Sequence, residues 1–200
     1  MESLEAFNRA TFLLINGTPA SPAWLVGAAI FIANNLIDYV PILLIGMWLS
    51  GHTQYRSVAI RAVVVTLLAL GANQIIGLLW THPRPSAIGL GHAFLYHVPD
   101  SSFPSDHVTV LSSVALTLLL GGLRSLGLLT VAVGVLVAWA RIFVGVHFPL
   151  DMVGAAGVAC IAYAIATPLW NAFGPRLTPL AVNAYRALLA WPIRRKWLRP

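Results

Sequence analysis

The sequence predicts an all-α integral membrane bundle of five to six spans, preceded by an interfacial helix. Of its 200 residues, 58% are hydrophobic and only 9% are charged, whereas soluble domains carry about 25% charged residues. Several apolar runs also approach the ~20 residues that a helix needs to cross a bilayer. No repeat or low-complexity linker interrupts the chain, so we interpret residues 1–200 as a single domain.

The predicted elements follow the apolar runs in order. Residues 1–17 have helical apolar spacing but are too short to span, which predicts a helix in the membrane interface. Spans are expected at 24–49, 58–80, 107–122, 126–141 and 150–170, with a polar loop at 81–104. Because Arg186 interrupts the last apolar run, we expect a separate interfacial helix at 177–191 within a basic cytoplasmic tail, 177–200. A sixth span there is the alternative.

The distribution of Lys and Arg predicts the orientation of these spans. With the N-terminus outside and five spans, nine of the 12 basic residues lie on the inner side, and Arg9, Arg84 and Arg141 lie on the outer side. Basic residues concentrate on the cytoplasmic side of membrane proteins. The net charge of +6 is therefore explained by membrane topology, and we expect no nucleic-acid partner.

In this topology, four separate segments bring polar side chains to the outer face. Arg84 follows the second span, residues 104–107 open the third, Arg141 closes the fourth, and residues 147–151 lie at the start of the fifth. Each arginine can hold phosphate oxygens through two hydrogen bonds. Ser105 is a good N-cap residue, and the free N–H groups of a helix start attract anions. The pattern predicts a site for phosphate on a lipid.

Two histidines are candidates for the chemistry at this site. His147 can attack phosphorus as a neutral imidazole, and His107 can donate a proton to a leaving oxygen. Asp151 comes four residues after His147, so its carboxylate can reach the second ring nitrogen and fix the tautomer. The spacing by itself indicates a phosphorylated lipid as substrate and does not identify the lipid.

Three stretches resemble the signature motifs of the type 2 phosphatidic acid phosphatase family. They are "PRP" at 83–85, "PSDH" at 104–107 and "ARIFVGVHFPLD" at 140–151. The usual forms are Lys-x6-Arg-Pro, Pro-Ser-Gly-His and Ser-Arg-x5-His-x3-Asp. The resemblance covers about residues 77–151 and implies a helical membrane phosphatase that uses a phosphohistidine intermediate, with no metal and no cofactor.

The resemblance also implies a role for each matching residue. His147 is the expected nucleophile, Asp151 orients it, and His107 is the general acid. Arg84, Arg141 and Ser105 are the expected phosphate ligands.

The sequence departs from the family pattern at three positions. Gly77 stands where the first motif has Lys, and nearby His82 is a candidate to replace part of that charge and bind the distal phosphate. An interfacial histidine is the equal alternative for His82. Asp106 replaces Gly beside the phosphate site, where we favour a helix-capping role over tuning of His107. Ala140 replaces the Ser of the third motif.

The "HPRP" and "PSDH" variants, with "NQIIGLLW" and "PDSSFPSDH", resemble the bacterial undecaprenyl-diphosphate phosphatase branch of the family, of the bacitracin-resistance type. This resemblance implies a prenyl diphosphate lipid as substrate, the bilayer as its solvent, and a site on the periplasmic face of the bacterial inner membrane. Two alternatives stay open. One is a phosphatase of phosphatidylglycerophosphate, phosphatidic acid or lipid A, and the other is a non-catalytic lipid or drug transporter.

A last group of polar residues lies within the predicted spans. Polar side chains inside a membrane carry a high free-energy cost, and they either serve a function or form hydrogen bonds between helices. We favour interhelical hydrogen bonding for the group, which comprises Asn34, Asn35, Asp38, Asn73 and Gln74.

Overall fold

The computed structural model describes residues 2–95 and 100–199 and confirms the all-α class. Its helices are α1 Glu2–Ile15, α2 Ala23–Asn35, α3 Tyr39–Leu49, α4 Thr53–Leu79, α5 Asp106–Leu120, α6 Arg124–Phe143, α7 Pro149–Leu188 and α8 Ala190–Arg194. Short 3-10 turns cover Leu36–Asp38 and Pro85–Ile88. No strand occurs in the described ranges.

Within the described residues, four helical stretches are long and apolar enough to cross a membrane, namely Ala23–Leu49, α4, α6 and α7. The fifth, α5, has only 15 residues and packs against α4, α6 and α7. Its Leu111, Val114 and Leu118 are fully buried. Because its neighbours enclose it, α5 contributes to the core and holds the "PSDH" segment at its start. The five predicted spans correspond to these five stretches.

The prediction of a separate helix at 177–191 is wrong, because α7 continues from Pro149 to Leu188 as one helix of 40 residues. Such a helix is about 60 Å long, twice the ~30 Å hydrocarbon core. Three prolines inside it, Pro168, Pro175 and Pro179, each remove one helical hydrogen bond. The last turns are held from outside the helix, because the ring of Tyr185 packs edge-on against Trp48 at 5.7 Å.

Helix α1 packs on the ends of α6 and α7. The side-chain oxygen of Asn8 accepts a hydrogen bond from the Leu150 N–H at 3.0 Å, and the Phe12 ring lies 5.3 Å from the Phe148 ring. Phe12 is fully buried, whereas Phe7 and Leu14 on other faces are exposed. Helix α1 therefore has one buried face and one exposed apolar face, as expected for an interfacial helix. Its buried face packs against the start of α7.

A tight turn joins α6 to α7. Gly145 lies in the left-handed region with φ of +85°, which glycine adopts without strain. A Cβ atom on Gly145 would lie 2.4 Å from the carbonyl oxygen of His92. The Phe94 N–H also donates to the Val144 carbonyl at 3.0 Å. This turn brings His147 back beside the end of α6.

Gly145→Ala is expected to destabilise the protein by about 1–3 kcal/mol, because the substitution combines backbone strain with a steric clash. The change is measured as a lower thermal midpoint in detergent by tryptophan fluorescence. Gly157→Ala is the matched control, since a Cβ at Gly157 meets nothing within 4 Å. An unchanged midpoint for Gly145→Ala would contradict the role of this turn.

Candidate active site

A cavity of about 280 Å³ lies where α4 ends and α5 begins. Its lining includes Arg84, Asp106, His107, Arg141 and His147. These residues come from the loop after α4, the start of α5, the end of α6 and the turn before α7. The structure thus brings together polar groups that are far apart in the sequence.

The His147 ring is held on both of its nitrogens. Nδ1 lies 3.2 Å from Oδ2 of Asp151, and Nε2 lies 3.2 Å from Nη1 of Arg84 and 3.4 Å from Nη2 of Arg141. A carboxylate only accepts hydrogen bonds, and a guanidinium only donates them. The arrangement therefore favours the tautomer with its proton on Nδ1, which leaves the Nε2 lone pair facing the two arginines.

Both arginines are buried and are fixed by oxygen atoms of the protein. Arg84 donates from Nε to Oδ1 of Asp100 at 2.7 Å and from Nη1 to the Val146 carbonyl at 2.8 Å. Arg141 donates from Nη1 to the Ala33 carbonyl at 3.2 Å. These bonds hold the two guanidinium groups side by side around Nε2 of His147, where they can bind the oxygens of a phosphate.

The start of α5 supplies the second histidine and a carboxylate. Ser105 precedes the helix and is fully buried, and its hydroxyl has no hydrogen-bond partner among the described residues. Oδ1 of Asp106 accepts a hydrogen bond from Nδ2 of Asn73 at 2.8 Å, and the same Nδ2 lies 2.9 Å from Oγ1 of Thr109. These bonds join α4 to α5 and confirm interhelical hydrogen bonding for Asn73. His107 is half-buried and lines the cavity.

The structure does not bring His82 to the cavity. Its Nε2 lies 3.6 Å from Oε2 of Glu5, and its ring packs edge-on against Phe148 at 5.5 Å. Burial raises the pKa of Glu5, but hydrogen bonds from Arg9 and Asn8 and the charge of His82 outweigh it, so the pKa lies below its ordinary value. His82 therefore faces α1 rather than the arginine pair.

The motif spacing did not predict two residues of the site, which are Asp100 and Ser102. The hydroxyl of Ser102 donates to Oδ2 of Asp151 at 2.5 Å and lies 3.3 Å from Nδ1 of His147. The quoted stretch "PDSSFPSDH" contains both residues. Serine and aspartate are ordinary loop residues, so nothing in their spacing marked them as partners of Asp151 and Arg84.

The sequence matches the PAP2 superfamily over residues 58–177. The chain belongs to this superfamily. Among PAP2 relatives, YbjG of Escherichia coli (strain K12), named as an undecaprenyl-diphosphatase, is 39% identical over 196 residues, which are 98% of this chain and 99% of YbjG. Undecaprenyl-diphosphatase BcrC of Bacillus subtilis (strain 168) is 31% identical over 185 residues, which are 91% of this chain and 93% of BcrC.

A solved structure has a fold similar to that of this chain. The crystal structure of LpxE from Aquifex aeolicus superposes with a TM-score of 0.67 at 23% identity and covers 81% of this chain and 95% of LpxE. The predicted family and enzyme class, a multi-pass membrane phosphatase, are confirmed by these matches.

Ser102→Ala is expected to lower kcat about tenfold with little change in KM, because it removes a hydrogen bond that holds Asp151 against His147. Steady-state phosphate release measures both constants. Ser113→Ala is the matched control, since the buried Ser113 hydroxyl has no partner in the described chain. Equal kcat values for Ser102→Ala and the wild type would show that this bond does not position the histidine.

Proposed function

We propose that this PAP2 protein hydrolyses undecaprenyl diphosphate to undecaprenyl phosphate and inorganic phosphate at the periplasmic face of the bacterial inner membrane. The proposal rests on the position of Nε2 of His147. This atom lies within 3.4 Å of one guanidinium nitrogen of Arg84 and one of Arg141, and both arginines are buried. The names of YbjG and BcrC support the choice of lipid, and the distribution of basic residues supports the orientation.

In the first step, Nε2 of His147 attacks the terminal phosphorus. A nitrogen–phosphorus bond forms, and the bond from that phosphorus to the bridging oxygen breaks. Undecaprenyl phosphate leaves with a proton from His107 on the bridging oxygen. Asp151 accepts the Nδ1–H of His147 and stabilises the cationic ring that results.

In the second step, water attacks the phosphohistidine. His107, now neutral, takes a proton from the water, and the bond between Nε2 and phosphorus breaks to release phosphate. In both steps Arg84 and Arg141 move their donors from Nε2 to the equatorial phosphate oxygens and stabilise charge there. Two successive displacements retain the configuration at phosphorus.

His147→Ala is expected to lower kcat by at least about 10³-fold, because it removes the nucleophile. Release of phosphate from undecaprenyl diphosphate by the purified protein measures the loss. His52→Ala is the matched control, since His52 is exposed at the other end of α4. Activity near the wild-type value would exclude the nucleophile role. Absence of phosphate release from the wild-type protein itself would favour a transporter without catalysis.

Gly77→Lys is expected not to raise kcat/KM for undecaprenyl diphosphate, although it restores the residue usual in the first motif. Gly77 lines the cavity of about 280 Å³, so a lysine side chain fills space that a second phosphate needs. Gly77→Ala is the control, because its Cβ makes an ordinary contact with Ser101 at 3.4 Å. A tenfold gain in kcat/KM for Gly77→Lys would show that the site lacks a needed cation.

A substrate panel tests the choice of lipid. The wild-type protein is assayed with undecaprenyl diphosphate, phosphatidylglycerophosphate, phosphatidic acid and lipid A. We expect kcat/KM for undecaprenyl diphosphate to exceed the others by at least about tenfold, a difference of about 1.4 kcal/mol in transition-state stabilisation. The anhydride has the more stable leaving anion, and Gly77 leaves room for a second phosphate. A higher value for any of the other three lipids would overturn the assignment.

A further inference from the structure

A second cavity, of about 730 Å³, lies at the opposite end of the bundle from His147. It is lined by the first turns of α4, including Arg56, and by the stretch of α7 from Trp170 to Arg186. Gly77, which lines the catalytic cavity, is 21 positions beyond Arg56 in α4. That separation spans about 32 Å of helix and matches the ~30 Å hydrocarbon core. The two cavities therefore face opposite leaflets.

The walls of the second cavity are cationic. The chain after Asp151 contains six Lys and Arg residues and no Asp or Glu, and residues 39–99 contain no Asp or Glu either. Arg186 lines the cavity and is exposed, and it forms no hydrogen bond or ion pair within the part of the chain that the structure describes. Its guanidinium can hold a phosphate through two hydrogen bonds.

Thr178 is an independent sign of a ligand. Its side chain lines the cavity and is only 5% exposed, and its hydroxyl has no hydrogen-bond partner among the described residues. A threonine in a helix commonly bonds to the carbonyl four residues earlier, which here belongs to Gly174. A buried hydroxyl without a partner costs about 1–3 kcal/mol. At the cavity wall, the Thr178 hydroxyl therefore has a donor and an acceptor that no described residue satisfies.

The prolines of α7 add acceptors to the same wall. Pro175 and Pro179 have no N–H, so the carbonyls of Asn171 and Pro175 lose their helical donors. Both of those residues line the cavity. A ligand that carries hydroxyl groups beside its phosphate matches this combination of a cation, a hydroxyl and carbonyl oxygens.

Contacts near the end of the chain hold the cavity in shape. The guanidinium of Arg56 donates to the Trp48 carbonyl at 2.9 Å and lies 5.1 Å from the centre of the Tyr185 ring. Arg199 donates to the Ser50 carbonyl at 2.9 Å. Because these contacts join the α3–α4 turn to the last turns of α7, the cavity is preformed.

We propose that this cavity is a second ligand site, which binds the phosphate headgroup of an anionic lipid from the leaflet opposite the catalytic site. The cavity volume falls within the ~300–1,000 Å³ of small-molecule sites. Lipid binding at this cavity does not depend on the proposed hydrolysis, because none of the residues that line it contributes to the cavity around His147. The lipid phosphate can belong to a phospholipid such as phosphatidylglycerol or to a polyprenyl monophosphate.

Native mass spectrometry of the full chain in detergent tests the proposal. Phosphatidylglycerol, undecaprenyl phosphate and the zwitterionic phosphatidylcholine are titrated separately. We expect wild-type protein to bind phosphatidylglycerol at least about tenfold more tightly than phosphatidylcholine, and Arg186→Gln to remove that preference. Thr178→Val should weaken binding severalfold. Arg176→Gln is the matched control, since Arg176 is exposed on the same helix but does not line the cavity.

Each outcome decides the proposal. Equal affinities for the three lipids, or equal losses in Arg186→Gln and Arg176→Gln, would overturn it in favour of diffuse attraction between a basic surface and anionic lipids. Arg186-dependent binding of undecaprenyl phosphate alone supports the site and assigns it to the polyprenyl monophosphate. The His147→Ala protein should keep the Arg186-dependent lipid binding. A substrate panel that contradicts the proposed hydrolysis would therefore not change the outcome of this binding measurement. Arg186→Gln should also retain the wild-type kcat.

Discussion

The contact between Nδ1 of His147 and Oδ2 of Asp151, at 3.2 Å, is the interaction on which the rest of the site depends. It orders the ring, places the proton on Nδ1 and leaves Nε2 as the atom that faces the arginines. The same Oδ2 accepts a hydrogen bond from the Phe148 N–H at 2.7 Å. The carboxylate therefore also stabilises the start of α7. The geometry around His147 and the start of α7 thus depend on one buried side chain, which is only 1% exposed.

Burying charged groups near hydrocarbon is costly unless oxygen atoms and opposite charges surround them. The site meets this requirement with backbone as well as side chains. Arg84 bonds to the Val146 carbonyl and to Asp100, and Arg141 bonds to the Ala33 carbonyl. The first span thereby contributes to the site although it carries none of the signature motifs. Helix α1 completes the enclosure, because Asn8 and Phe12 cover the start of α7.

Helix α7 connects the two ends of the molecule. Its first turn carries Asp151, and its last turns pack against the α3–α4 turn through Tyr185. Packing against Trp48 and the contacts with the end of the chain extend the helix past three prolines. The extra length forms one wall of the second cavity. A single helix therefore orders the candidate site at one end of the bundle and forms one wall of the second cavity at the other.

Hydropathy and motif spacing are local properties of the chain, so the residues alone predict the all-α membrane class, the five apolar stretches and the polar groups of the cavity around His147. The spacing also indicated Asp151 as the partner of His147, since four residues is one helical turn. The positions of Ser102 and Asp100 in the site, and the contact of His82 with Glu5, follow from tertiary packing. Those outcomes depend on the path of a loop, which no periodicity encodes. The length of α7 was likewise decided by packing, because the contacts of Tyr185 outweigh the helix-breaking tendency that three prolines give the local sequence.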